Sequence, residues 1–184
     1  MCSPVQIVKK TNIQKLTVSA VMLAFCLVLP FFAGQMPEIG NMLCPMHIPV
    51  LLCGFICGWQ YGLAVGLVAP LLRSFLFFSP PFFPQAVSMS VELMVYGLIT
   101  GILYKKFPKK NLYIYLNLII AMLSGRAAWG LARFIIYGLG YTEFSFGLFL
   151  SGAFVQAVPG IMIQLIVIPL VVMVLNRIKF RNFS

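Results

Sequence analysis

Four charged residues stand inside long apolar stretches of this 184-residue chain: Arg73, Glu92, Arg126 and Arg133. A charge near the centre of a bilayer costs several kcal/mol even on modest scales, so such residues face a bundle interior or a water-filled cavity and mark function. Arg126 and Arg133 lie seven positions apart in IIAMLSGRAAWGLARFIIYG, residues 119–138, and share a helical face with Trp129 and Gly130. A guanidinium donates two parallel hydrogen bonds to a carboxylate or phosphate. The chemistry implied is capture of an anionic group, with Trp129 and Tyr96 as an apolar wall.

Glu92 is the one carboxylate within these apolar stretches and can neutralise one arginine, leaving two positive charges uncompensated. Around it the polar residues recur at helical spacing. Gln85, Ser88, Glu92 and Tyr96 form one stripe, and Gly152, Gln156, Gly160 and Gln164 form another. Gly62, Gly66, Pro70 and Arg73 make a third face, small along most of its length and charged at one end. At 1.5 Å per residue, all four charges fall at the midplane or in the outer half of their spans. Alternatively, Glu92 neutralises one arginine and the glutamines join helices without touching a ligand.

Catalytic groups are scarce. There is no His/Asp/Glu cluster at catalytic or metal-ligand spacing and no GxxxxGK[ST] loop to cradle a nucleotide. The expectation is a protein that is not an enzyme, with no cofactor and no metal. The five cysteines, at 2, 26, 44, 53 and 57, lack framework spacing and read as small hydrophobes. His47, the single histidine, sits at the mouth of an apolar run, where a cap or loop anchor is the commoner role. Regularly spaced gating charges and inverted repeats are absent too, so transport would need an external motor.

The elements that position these groups follow from composition. Hydrophobic residues make up 61 % of the chain and charged residues 9 %, against about 25 % charged in a soluble domain. The chain reads as an all-α integral membrane protein: six transmembrane helices in one bundle, a single domain over residues 1–184. Segments of about 20 apolar residues can cross hydrocarbon. Pro, Gly and charge place the spans at 14–33, 47–60, 61–78, 85–104, 111–138 and 147–176, the second and third joined by a tight turn at 58–62. The first span is expected to be retained rather than cleaved.

Ten of the thirteen basic residues lie outside the apolar runs, the first of which begins near residue 16: Lys9, Lys10, Lys15, Lys105, Lys106, Lys109, Lys110, Arg177, Lys179 and Arg181. That distribution puts both termini in the cytoplasm and argues against nucleic acid as a partner. The loops at 34–46, 79–84 and 139–146 then face out. The GxxxG spacings at Gly54/Gly58, Gly62/Gly66 and Gly97/Gly101 suit internal helix packing. Ala20 and Ala24, one turn apart on a bulky first span, offer a flat patch for another helix.

AVMLA at 20–24 matches an AxxxA pattern, and the run MHIPVLLCGFICGWQYGLAVGLVAPLLRSFLFFSPPFFPQAVSMSVELMVYGLITGILY follows it. Over residues 12–178 the chain resembles the substrate-binding S components of energy-coupling factor (ECF) transporters, in the pantothenate, folate and riboflavin branch. The resemblance implies a multi-pass protein of the bacterial cell membrane, surrounded by lipid, that captures a vitamin from outside. It would act with a T component and two ATPase subunits, with Ala20 and Ala24 as the partner contact. It also implies a lid over 34–46, making Asn41 and His47 pocket residues beside Arg73, Ser88, Glu92, Tyr96, Arg126, Trp129, Arg133, Gln156 and Gln164. The positive excess favours a small anion, pantothenate first and folate second. Two readings from other classes are a membrane-embedded enzyme acting on an anionic lipid and a structural membrane subunit.

Overall fold

The computed structural model describes residues 4–32, 45–108, 111–138 and 158–181. In these the chain forms α1 (Pro4–Phe32), α2 (His47–Cys57), α3 (Trp59–Phe77), α4 (Val87–Lys106), α5 (Asn111–Gly138) and α6 (Val158–Arg181). A π-helical turn, Phe82–Ala86, leads into α4. There is no strand among the described residues. A helix closes its backbone hydrogen bonds within one segment, the condition for crossing hydrocarbon.

Five helices are long and apolar enough to cross a membrane; α2, with 11 residues, is not. The expected boundaries shift in places. The first helix starts at Pro4, ten residues before the expected span, because the polar segment carrying Lys9, Lys10 and Lys15 continues the helix. The expected turn at 58–62 contracts to Gly58, whose φ of 96° glycine adopts at little cost. α3 therefore begins at Trp59. The loop expected at 79–84 tightens into the π-helical turn from Phe82 onward. Residues 34–44 of the expected loop at 34–46, the expected loop at 139–146, and the start of the sixth span at 147–157 lie outside the described residues.

α4 sits at the centre, packed against α2, α3 and α5; its contact with α3 is the most extensive in the bundle. The glycine spacings explain why. A Cβ added at Gly97 would land on the backbone of Gly62, and one at Gly66 on the carbonyl of Leu93. The two helices approach backbone to backbone. Two apolar clusters fill the remaining space: Leu51, Phe55, Tyr96, Leu118, Ile168 and neighbours on one side, and Cys26, Val50, Cys53, Val65, Leu93 and neighbours on the other. A polar rung crosses the first, where Asn117 Nδ2 donates to the Thr100 carbonyl at 3.0 Å.

α1 lies at the edge and is the least buried of the five long helices. Its inner seam holds Ser19 and Cys26: Cys53 Sγ lies 3.7 Å from Ser19 Oγ, and Cys26 Sγ lies 3.7 Å from the Met46 carbonyl. Cys26, Cys53 and Cys57 are buried free thiols packed among apolar neighbours. Ala20 and Ala24 are exposed on the opposite seam, beside the exposed side chains of Val21, Phe25 and Val28.

Gly97→Leu should force α3 and α4 apart, since the obstacle is backbone rather than a movable side chain. The expected cost is about 3 kcal/mol, the upper part of the overpacking range. Loss of a monodisperse peak and a lowered melting temperature in detergent would register it, whereas Gly138→Leu, which meets open space, should change neither.

Candidate functional site

Successive helices alternate in direction, so the starts of α2, α4 and α6 lie at the same end of the bundle as the finish of α1, α3 and α5. Glu92, in the second turn of α4, is 2 % exposed and is the focus of that end. Its Oε1 accepts a hydrogen bond from Tyr96 Oη at 2.9 Å. The same oxygen lies 3.2 Å from Arg126 Nη1 on α5 and 3.5 Å from His47 Nε2 at the first residue of α2. One carboxylate oxygen thus draws together three helices.

The Tyr96 hydroxyl is in reach because of Gly125. A Cβ at that position would strike the Tyr96 ring, so glycine lets the ring lie flat across α5 one residue from Arg126. Tyr96 also packs beside the His47 ring, with centroids 5.3 Å apart. Both His47 nitrogens are buried without a hydrogen-bond partner among the described residues, Nε2 approaching Glu92 Oε1 at 3.5 Å without the alignment of a hydrogen bond.

The three arginines have different surroundings. Arg126 pairs with Glu92. Arg73 turns away to α1, where Nη1 donates to the Leu27 carbonyl at 2.7 Å and the guanidinium lies 5.1 Å from the Phe31 ring and 5.7 Å from that of Phe77. Pro30 lies in the same stretch of α1, its missing N–H removing the donor to the Cys26 carbonyl, and Arg73 adds a donor from the neighbouring helix to the adjacent carbonyl, that of Leu27. Arg133 lies 5.5 Å from the Trp129 ring, a cation–π approach. Its half-buried side chain has no carboxylate partner among the described residues, and its buried Nε has no hydrogen-bond partner there.

Of the other sequence candidates, Ser88 is buried but donates within its own helix turn, 2.8 Å from the Pro84 carbonyl and 3.0 Å from that of Gln85. Gln164 on α6 is 1 % exposed, and its Oε1 has no hydrogen-bond partner among the described residues. Asn41 and Gln156 lie outside the described residues. The structure therefore groups His47, Glu92, Tyr96 and Arg126 in one network, with Trp129 about one turn and Arg133 about two turns further along α5. Sequence reasoning passed over Asn117 and Gly125. Both lie on a buried stripe, Asn117, Ala121 and Gly125, spaced every four residues like the stripes that were noticed.

The family model for the ECF transporter substrate-specific component matches residues 14–172. Comparison with curated proteins and with solved structures returned no match.

Glu92→Gln should cost about 3–5 kcal/mol, because it strands a buried guanidinium, while Glu92→Gln combined with Arg126→Gln should recover more than half of that loss. Thermal unfolding of the solubilised variants measures both, and equal destabilisation by the single and double changes would refute the pairing.

Proposed function

This chain belongs to the family of ECF transporter substrate-specific components, and we propose that it is the high-affinity subunit for a small anionic vitamin, pantothenate first. The family is one of transporter subunits rather than enzymes, and the protein is accordingly a multi-pass membrane protein. Arg133 is the observation that carries the anion reading. Arg126 is neutralised by Glu92 and Arg73 is engaged by a carbonyl and two rings, whereas Arg133 presents a guanidinium over Trp129 with no carboxylate beside it among the described residues. A fork-shaped cation beside an apolar face suits a ligand carboxylate.

One available arginine favours a monocarboxylate over folate, which carries two carboxylates. Phe82 and Phe83, exposed at the same end, offer folate a stacking surface but no second cation. Asn41, Gln156 and Gln164 complete the proposed contacts, with the Glu92 network as the floor that Arg126, His47 and Tyr96 build. In this reading the basic end, with both termini, faces the cytoplasm by the positive-inside rule, and the Glu92 end opens outward. The exposed Ala20 and Ala24 seam is the surface offered to a T component, which joins the subunit to two ATPases.

Arg133→Ala should lower pantothenate affinity at least about tenfold, the scale of a lost charge-assisted hydrogen bond, with little change in melting temperature. Isothermal titration of the detergent-purified protein tests this, and undiminished affinity would remove Arg133 from the site. Ala20→Trp with Ala24→Trp should leave that affinity intact yet abolish co-purification with a T component; a complex that still forms would assign the seam to lipid.

A further inference from the structure

The capture site reading does not say which ligand group two of its buried side chains would meet. Gln164 Oε1 and the ring nitrogens of His47 have no hydrogen-bond partner among the described residues, although Gln164 is 1 % and His47 2 % exposed. Leaving such a group unpaired in a folded interior costs about 1–3 kcal/mol. Gln164 lies on the α6 face formed with Ile161, Leu165 and Ile168. Those three pack into the same apolar cluster as Leu51, Ile48 and Tyr96, and Tyr96 in turn touches His47. Two unsatisfied polar side chains on the contacting helices α2 and α6 therefore border one apolar cluster.

Resting on the reading that this end of the bundle captures an anion, we propose that the captured molecule carries a hydroxyl group bound by Gln164 and His47. An amide presents an acceptor or, turned over, a donor, and a neutral imidazole presents one of each. A hydroxyl both donates and accepts, so it satisfies either side chain in either state; an ammonium group would only donate and a second carboxylate would only accept. The spacing bounds the ligand. Arg133 lies seven residues beyond Arg126, about 10 Å along the helix axis, and Arg126 meets the carboxylate that His47 approaches. The substrate class is a compact hydroxylated monoanion, with its hydroxyl within about 10 Å of its anionic group. Apolar surface between the two is met by Trp129 and Tyr96.

The test uses the full-length protein in detergent, pantothenate, and the dideoxy analogue in which both pantothenate hydroxyls are replaced by hydrogen. Wild type should prefer pantothenate by at least about tenfold, the scale of one hydrogen bond made by an otherwise stranded buried group. Gln164→Leu should compress that preference to under about threefold, while the ligand-free variant melts at or above the wild-type temperature because an unpaired carbonyl has been removed. A retained preference in Gln164→Leu, or ligand-free melting several degrees lower, would overturn the assignment, the latter by showing that Gln164 already has a structural partner. If wild type binds neither compound, the pantothenate reading fails by itself. The hydroxyl assignment then stands or falls on the ligand-free melt together with the same Gln164→Leu comparison on glycerate and propionate, a hydroxylated and an unhydroxylated monoanion.

Discussion

The architecture of the polar end depends on one constraint: a single buried carboxylate has to serve several donors in a medium that offers no water to replace them. Glu92 is the one acidic residue among those described. With Tyr96, Arg126 and His47 all directed at its Oε1, the relative rotation of α2, α4 and α5 is specified by electrostatics as much as by packing. A buried pair of this kind contributes little net stability compared with a well-packed apolar replacement, but it is costly to break from one side. Its effect is to fix where things are.

That fixing requires the backbones to be close. Gly62 and Gly97 let α3 and α4 touch, and Gly125 makes the space in which the Tyr96 ring reaches across to α5. Small residues of this sort matter more in lipid than in water, because helices in hydrocarbon gain little from hiding apolar surface and associate through close contact and hydrogen bonds instead. The result is a tightly joined group of α2, α3, α4 and α5 with α1 held at its side. α1 is clasped at one end by Arg73 on the Leu27 carbonyl and touched further along by the Ser19 and Cys53 pair.

Much of this was legible in the residues. Composition and punctuation gave the helices, and the recurrence of Ser88, Glu92 and Tyr96 every three or four positions identified the face of α4 that points inward. Periodicity orders residues within one helix; it carries no information on the rotation of one helix against the next. For that reason the division of labour among three arginines was hidden. The partner of Arg73 is a backbone carbonyl, that of Leu27, 46 positions earlier in the chain. His47 looked like a helix cap because it begins α2, and only the placement of that helix beside α4 brings it to Glu92. The start of α1 at Pro4 was missed for a simpler reason: hydropathy marks the part of a helix that meets lipid, not where the helix begins.

The brevity of α2 has an electrical consequence. Eleven residues rise about 16 Å, roughly half the hydrocarbon thickness, so in the proposed orientation its first residue, His47, would stand near mid-depth together with the network around Glu92. In the proposed orientation, with the basic end inside, a monoanion that descends from outside to that level would pass through about half of the membrane potential, and an inside-negative potential would push it back. At about 2.3 kcal/mol per charge for each 100 mV, the opposing work is about 1 kcal/mol. The closed Glu92 and Arg126 pair is neutral and does nothing to offset it. In that reading the guanidinium of Arg133, higher on α5 beside Trp129, would let the negative charge stop before the full descent while the uncharged part of the molecule continues inward.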